Sequence, residues 1–283
     1  MPSVSALLDA ATEQLAASLG LDTRDARLDT RVLAAHAWAV AHTWLIAHDR
    51  DPVDAAAHIR FQTLIERRAA GEPVAYLTGV REFYGRPFYV TPDVLIPRPD
   101  TELLVERVLA CLPPDQPADV LDLGTGSGCI AITLALERPL ARVVAVDQSA
   151  AALEVARHNA RELGATVEFL VSNWFSALAG RQFDLIASNP PYLPAADAHL
   201  QRGDVRFEPR AALAAGPDGL ADLTALCAAA PTHLKPGGHL LLEHGYDQAP
   251  ATASILATHG FSALAAWRDL AGHLRVSGGK LSK

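Results

Sequence analysis

The sequence predicts an α/β protein in which a doubly wound, mostly parallel sheet follows a small helical region. Three observations predict this fold. Beyond about residue 100, short apolar runs typical of buried strands alternate with amphipathic helical stretches. A glycine-rich turn joins the first of those runs to the next helix. Residues 1–72, by contrast, have helical periodicity and no strand alternation.

The composition is that of a folded protein with a substantial core. Of 283 residues, 50% are hydrophobic and 20% are charged, which suits two domains or one large one. The net charge of -8 argues against sequence-independent binding of nucleic acid, because such binding needs basic surface. We expect no signal peptide and no transmembrane helix, and therefore a cytoplasmic location.

Cysteine and histidine usage predicts neither a disulfide framework nor a metal site. The three cysteines are far apart and odd in number, and the eleven histidines are scattered without ligand spacing. We therefore expect no metal in this protein.

The N-terminal region, residues 1–72, is predicted to be a small helical bundle. One helix ends before Gly20, a second is capped by Asp22 or Thr23, and a third starts near Pro52 and runs to Arg68. The bundle either docks a partner or merely shields part of the larger domain.

Residues 73–99 are predicted to form a β-hairpin that links two domains, because aromatic residues there are interleaved with glycine and proline. Asp100 or Thr101 can cap the helix that follows. Arg98 lies between two prolines on a stiff loop. It either contacts a substrate or is a solvated linker charge.

A ligand site is predicted where strand 118–123 meets the next helix. The turn is Gly124-Thr125-Gly126-Ser127-Gly128, which lets a ligand approach bare backbone at a helix N-terminus. The following strand ends at Asp147, where doubly wound folds hold two ribose hydroxyls.

The ligand is not predicted to be a dinucleotide. Cys129 occupies the place of the third small residue in the dinucleotide fingerprint. Asp122, two residues before the first glycine, disfavours a pyrophosphate and favours an ammonium or sulfonium group. S-adenosylmethionine carries both cations together with a ribose and an adenine.

The third strand, 167–171, is predicted to place two residues near the adenine. Trp174 can stack on the base, and Asn173 can pair with its edge. The alternative is a half-buried tryptophan in a loop.

The segment that follows strand 183–188 is predicted to hold an –NH2 group. In Asn189-Pro190-Pro191-Tyr192, the Asn189 side-chain carbonyl and the backbone carbonyls of Asn189 and Pro190 are acceptors, and the Tyr192 ring can stack on a planar group. Such a site would orient a poor nitrogen nucleophile towards an electrophilic carbon. No general base of the usual kind is evident beside Asn189, so positioning would supply most of the catalysis. The alternative is a turn that ends the strand.

The rest of the chain completes a sheet of about seven strands. We expect a long loop over 206–220 as a lid or substrate wall, then a helix, a turn at 235–238 and a strand at 239–243. A last helix near 247–259 and two terminal strands follow.

In order and combination, four motifs resemble the HemK/PrmC family of glutamine methyltransferases that act on peptide chain release factors. They are Ile96-Pro97-Arg98-Pro99-Asp100-Thr101-Glu102, Asp122-Leu123-Gly124-Thr125-Gly126-Ser127-Gly128, Asn189-Pro190-Pro191-Tyr192 and Leu234-Lys235-Pro236-Gly237-Gly238. The resemblance implies a class I methyltransferase (Rossmann-like) domain over 100–283, with helices on both faces of the sheet. It also implies a substrate-docking domain over 1–72 and a hairpin linker over 73–99.

The same resemblance implies the reaction and the residue roles. The cofactor is S-adenosyl-L-methionine, the product is S-adenosyl-L-homocysteine, and the acceptor is the side-chain amide nitrogen of the glutamine in the Gly-Gly-Gln motif of bacterial release factors. The implied catalytic residues are Asn189, Pro190 and Tyr192, and the substrate site adds Pro191 and Arg98. The implied cofactor residues are Gly124, Thr125, Gly126, Ser127, Gly128, Asp147, Asn173, Trp174 and Asn189.

Two departures from the family pattern are mild. Asn173 stands where family members often have Asp, and Asp100 where many have Glu. We expect a monomer that binds release factors as its protein substrate and has no stable contact with nucleic acid or membrane.

Two other functions fit parts of the pattern. An adenine methyltransferase of nucleic acid would use the same –NH2 site, but it would have to flip the base out, and no basic target-recognition domain is evident. A regulatory protein that binds the cofactor without turnover is disfavoured by the intact Asn189–Tyr192 motif. A turnover assay with a cofactor-binding control separates these functions.

Overall fold

The computed structural model describes residues 1–282, which form two compact units. The first unit comprises Met1–Val80 and Gln201–Phe207, and the second comprises Arg81–Leu200 with Glu208 onwards.

The first unit is a helical bundle, as predicted. Gly20 ends the first helix in the left-handed conformation (φ 65°), and the Asp22 side chain caps the second by accepting from the Asp25 amide. The predicted start of a helix near Pro52 is wrong, because Asp54 caps that helix and accepts from two backbone amides. The helices are α1 (Val4–Leu19), α2 (Thr23–Trp38), α3 (His42–Ala47), α4 (Ala55–Ala69) and α5 (Val74–Thr78).

A buried arginine holds parts of this unit together. Arg68 is 6% exposed; its Nε donates to Asp29 Oδ2 and its Nη1 to Asp204 Oδ1, each at 2.8 Å. The Arg206 guanidinium donates to the Ala70 carbonyl at 2.7 Å. These contacts attach the 201–207 segment to the helices of the same unit.

The predicted hairpin is present, although α5 occupies the start of its predicted range. Its strands are β1 (Val80–Phe83) and β2 (Arg86–Tyr89). Tyr84 and Gly85, at φ 52° and 74°, form the turn, which suits the two-residue connections of hairpins. Phe83 and Phe88 are fully buried and meet edge to face, with ring centroids 6.0 Å apart.

The second unit contains a seven-stranded sheet, which confirms the predicted α/β fold. The strands are β3 (Ala118–Leu123), β4 (Ala141–Asp147), β5 (Glu168–Val171), β6 (Phe183–Ser188), β7 (Leu234–Glu243), β8 (Phe261–Arg268) and β9 (Leu274–Leu281). Their order is β5-β4-β3-β6-β7-β9-β8; β9 pairs antiparallel with β7 and β8, and the other neighbours pair in parallel.

Helices cover both faces of this sheet, because adjacent strand residues bury on opposite sides. The helices are α6 (Thr101–Cys111), α7 (Cys129–Glu137), α8 (Ala150–Leu163), α9 (Ala221–His233) and α10 (Ala249–Thr258). On β3, Val120 packs in the core that α6 and α7 cover, and Leu121 packs in the core that α9 covers.

Three local predictions need correction. Residues 235–238 lie within β7 rather than before it, although they bulge out of the pairing between Phe183 and Leu185. Asp100 occupies the N-cap position of α6 without a side-chain cap bond, since its carboxylate lies 3.5 Å from Arg275 instead. The loop predicted over 206–220 is part of a longer connection between β6 and α9, which contains three short 3-10 turns, Ala198–Gln201, Gly203–Phe207 and Arg210–Ala212.

Candidate functional site

A cavity of about 810 Å³ lies in the second unit, at the edge where the parallel strands have their carboxyl ends. This is where doubly wound sheets bind ligands, and the volume suits a nucleoside-sized molecule. The structure brings seven of the sequence-predicted residues to its wall: Gly124, Gly126, Asp147, Asn173, Trp174, Asn189 and Pro191.

The glycine turn after β3 has the backbone that the sequence predicts. Gly124, Gly126 and Gly128 have φ values of 71°, 54° and 83°, a region that L side chains rarely adopt. A Cβ on Gly128 would lie 2.8 Å from Ile132 Cδ1 and 3.1 Å from Ala156 Cβ. Gly128 therefore allows close packing of α7 on α8, while Gly124 and Gly126 present backbone to the cavity.

The side chains of Thr125 and Ser127 lie on the side of the turn away from the cavity. Thr125 and Ser127 are buried, and neither they nor Gly128 line the cavity. The Thr125 hydroxyl donates to Asp122 Oδ2 at 2.6 Å. Asp122 is fully buried, which raises its pKa to about 7. Asp122 thus secures the turn through Oδ2 and does not line the cavity.

Asp147 is held at the end of β4 with both carboxylate oxygens directed by backbone amides. Oδ2 accepts from Gly126 N and Oδ1 accepts from Ser149 N, each at 2.9 Å. A carboxylate oxygen can accept more than one hydrogen bond. Asp147 can therefore also accept from two hydroxyl groups in the cavity.

Trp174 is half-buried in the loop after β5, and its ring lies against the glycine turn. Its ring is 3.3 Å from the point where a Cβ on Gly124 would stand, and its backbone has φ 48°, unusual for so large a residue. Burial raises the pKa of Asp222, and a hydrogen bond with the Trp174 side chain opposes that rise. Asn173 lies beside it on the cavity wall, its backbone amide donating to the Ser176 hydroxyl at 3.1 Å.

Asn189 follows β6 and has a fixed side-chain amide. Its Nδ2 donates to Thr101 Oγ1 at 3.1 Å, so its Oδ1 is the amide atom left to accept from a ligand. The end of β6 is fixed by the Ser188 hydroxyl, which donates to the Leu123 carbonyl at 2.7 Å. Pro190 is buried, and Pro191 lines the cavity.

Tyr192 is anchored behind the cavity wall. Gln248 Nε2 donates to its backbone carbonyl at 3.0 Å, and a Cβ on Gly219 would lie only 2.2 Å from that same oxygen. Burial raises the pKa of the Tyr192 hydroxyl. Tyr192 itself does not line the cavity.

Arg98 is ion-paired with Glu208, whose side chain is fully buried. Glu208 Oε2 also accepts from the Ile96 amide at 3.0 Å. Arg98 does not line the cavity. Because it is ion-paired with a buried carboxylate, it is more than a solvated charge on the linker.

Sequence reasoning missed three residues as neighbours of Asn189–Tyr192, namely Thr101, Glu243 and Gln248, and it also missed Glu208 as the partner of Arg98. Glu243 ends β7 and is 1% exposed. Burial raises its pKa to about 7, and hydrogen bonding with Thr101 and Tyr192 opposes that rise. A buried carboxyl group thus lies behind the site, where the sequence indicated no such group. The only signal was its place at a carboxyl end of a central strand.

Within residues 1–282, no three histidine, cysteine or acidic side chains are grouped so as to hold a metal ion. A search of the same part of the chain finds no helix with the length and hydropathy to cross a membrane.

The fold and the site define a class I methyltransferase that uses S-adenosylmethionine. The methyltransferase small domain family matches residues 99–204, and the PrmC N-terminal domain family matches residues 6–79. The fold is shared with a T. thermophilus 16S rRNA N2 G1207 methyltransferase solved with AdoMet and guanosine. The TM-score is 0.54 at 23% identity, covering 71% of this chain and 49% of that one.

Two curated relatives identify the family. The release factor glutamine methyltransferase of Burkholderia pseudomallei is 52% identical, over 90% of this chain and 92% of its own length. That of Xylella fastidiosa (strain Temecula1) is 48% identical over 99% and 98%. The chain belongs to the release factor glutamine methyltransferase family.

Proposed function

We propose that this enzyme transfers the methyl group of S-adenosyl-L-methionine to the side-chain amide nitrogen of the glutamine in the Gly-Gly-Gln motif of bacterial peptide chain release factors. The observation that carries the proposal is the Asn189 amide. It lies on the wall of the cofactor-sized cavity, donates to Thr101 and keeps Oδ1 for an –NH2 group.

In this proposal, the cavity holds the cofactor and releases S-adenosyl-L-homocysteine. Asp147 accepts from the ribose hydroxyls, and Trp174 and Asn173 lie at the adenine. The backbone of the glycine turn faces the amino-acid end, with no metal involved. The proposed cofactor residues that line the cavity are Gly124, Gly126, Asp147, Asn173, Trp174 and Asn189. Thr125, Ser127 and Gly128 complete the proposed set by shaping the glycine turn from outside the cavity wall.

Asn189, Pro190 and Tyr192 are the proposed catalytic residues, with Pro191 and Arg98 completing the glutamine site. An amide nitrogen is a poor nucleophile, so the acceleration comes from in-line positioning and from polarising the –NH2 group. Each neutral hydrogen bond contributes about 0.5–1.5 kcal/mol net, whereas a buried polar group left unpaired costs about 1–3 kcal/mol. The acceptors at Asn189 therefore select an amide over a carboxylate.

The remaining parts of the proposal concern the whole protein. Residues 1–72 dock the release factor, 73–99 link the domains, and 100–283 catalyse the transfer. The enzyme works as a monomer in the cytoplasm, without stable binding to nucleic acid or membrane. The acidic balance, a net charge of -8, supports a protein substrate over a phosphate backbone.

The test is a transfer assay with purified enzyme, S-adenosylmethionine and an unmodified release factor, read by peptide mass spectrometry. We expect one added methyl group on the Gly-Gly-Gln glutamine. The matched control is a release factor in which that glutamine is replaced by alanine, which should remain unmodified.

Calorimetry of cofactor binding accompanies the assay, so that an inactive preparation is recognised. Bound cofactor without transfer to the release factor would overturn the proposed substrate. Methylation of an adenine-containing DNA under the same conditions would instead favour the nucleic-acid reaction.

A further inference from the structure

The wall of the site is connected to a buried carboxyl group. Asn189 Nδ2 donates to Thr101 Oγ1 at 3.1 Å, while burial raises the pKa of the neighbouring Glu243 carboxyl group and the hydroxyls of Thr101 and Tyr192 oppose that rise. Thr101 is 2% exposed and Glu243 1%. Glu243 Oε2 has no hydrogen-bond partner among the described residues. The four side chains come from α6, β7 and the segment after β6, so only the fold brings them together.

The direction of donation along this chain follows from the acceptor at its end. Above about pH 7, where Glu243 is ionised, its carboxylate can only accept, so the single Thr101 proton is donated to Glu243. The Thr101 oxygen must then accept from its other neighbour, and the only donor of the Asn189 side chain is Nδ2. Asn189 Oδ1 consequently points away from Thr101, whereas without an acceptor at 243 the Thr101 hydroxyl is free to donate to either amide atom.

We propose that Glu243, acting through Thr101, is a positioning residue that fixes which face of the Asn189 amide meets the substrate. This inference rests on the proposed function. With Oδ1 outward, Asn189 accepts from the glutamine –NH2 group and orients its lone pair towards the methyl carbon. With the amide reversed, the –NH2 groups of Asn189 and the substrate glutamine face each other, and neither has an acceptor. The glutamine nitrogen is then no longer aligned with the methyl carbon in the transition state.

The charge around Glu243 agrees with an acceptor whose strength is adjusted by its neighbours. Burial raises the pKa of Glu243 most, and the charge of Asp100 adds to that rise. Thr101, Arg275 and Tyr192 lower the same pKa. Burying a carboxyl group with one unpaired oxygen costs stability. A merely structural position is therefore better filled by an apolar side chain of similar size.

Two matched pairs of variants test the inference. Thr101→Val and Glu243→Met keep approximate size and remove the hydroxyl or the acceptor, whereas Thr101→Ser and Glu243→Gln retain them. We expect the first two to lower kcat about 10- to 100-fold, as is typical when a residue that orients a reactive group is lost. The conservative two should stay close to wild type. The KM for the release factor and the Kd for S-adenosylmethionine should not change.

A second readout does not depend on turnover. The side-chain amide resonances of Asn189, identified by their loss in Asn189→Ala, should shift in Thr101→Val and Glu243→Met but not in the conservative variants. Because Thr101 and Glu243 act in one chain, the Thr101→Val/Glu243→Met double variant should lose no more kcat than the worse single variant.

Several results would overturn the inference. Wild-type kcat in Thr101→Val, an equal loss in the conservative and non-conservative members of a pair, or fully additive losses would each exclude this role. Unshifted Asn189 resonances in Thr101→Val would exclude it even if the wild-type enzyme fails to methylate a release factor. That last failure would contradict only the proposed function.

Discussion

Replacing Glu243 by Gln should stabilise the protein, and the gain should depend on pH. The side chain is 1% exposed, and burial raises its pKa from the ordinary value of 4.5 to about 7. Below the pKa of the unfolded chain, both states carry the proton and the variant gains little. Between that value and about pH 7 the unfolded chain loses its proton first, so wild-type stability falls as pH rises.

The size of the effect follows from the same pKa difference. Each tenfold change in proton affinity corresponds to about 1.4 kcal/mol, so the full penalty above pH 7 is about 3 kcal/mol. For a domain of this size, 1 kcal/mol shifts Tm by about 2–4 °C. We therefore expect Glu243→Gln to raise Tm by up to about 6–12 °C near pH 8.5, and by much less near pH 5. Asp122, whose pKa is also raised to about 7, is present in both proteins and cancels.

Scanning calorimetry of wild type and Glu243→Gln at the two pH values measures this difference. Glu162→Gln is the control, because it removes one negative charge from the exposed face of α8. The reasoning fails if the Tm difference between Glu243→Gln and wild type is the same at both pH values.

Three further predictions separate the parts of the site. Asn189→Ala should lower kcat about 100- to 1,000-fold, the usual cost of losing one preorganised polar group, and should weaken cofactor binding much less than Asp147→Ala does. Asp147→Ala should weaken S-adenosylmethionine binding in calorimetry; the same defect in both variants would contradict the separate roles. Gly219→Ala should lower activity and Tm far more than Gly180→Ala, since both glycines have φ 74° but only at Gly219 does the new Cβ meet the Tyr192 carbonyl, at 2.2 Å. Equal losses in the two glycine variants would show that backbone strain alone is responsible.

Much of the fold was predictable because local sequence patterns determine where its helices and strands begin and end. Strand β6 was predicted with its observed bounds, and Gly20 ends a helix where the sequence placed it. The helix start near Pro52 was wrong because proline marks a first turn only weakly, whereas the Asp54 side chain supplies the hydrogen bonds that begin α4.

The sequence by itself determined the chemistry at the ends of the strands. Gly124, Asp147 and Asn189 each stand directly after or at the end of an apolar run, and parallel strands bring their carboxyl ends to one edge. Any sequence with this order of strands and turns therefore places them together.

Only the tertiary structure decided what supports those residues. Thr101, Glu243 and Gln248 are far apart in the chain, and each reads locally as an ordinary cap, strand-end or helix-start residue. Their hydrogen bonds to Asn189 and Tyr192 depend on α6, β7 and α10 packing around the end of β6. A side-chain contact across such distances is set by the packing of whole elements, and no local pattern encodes it.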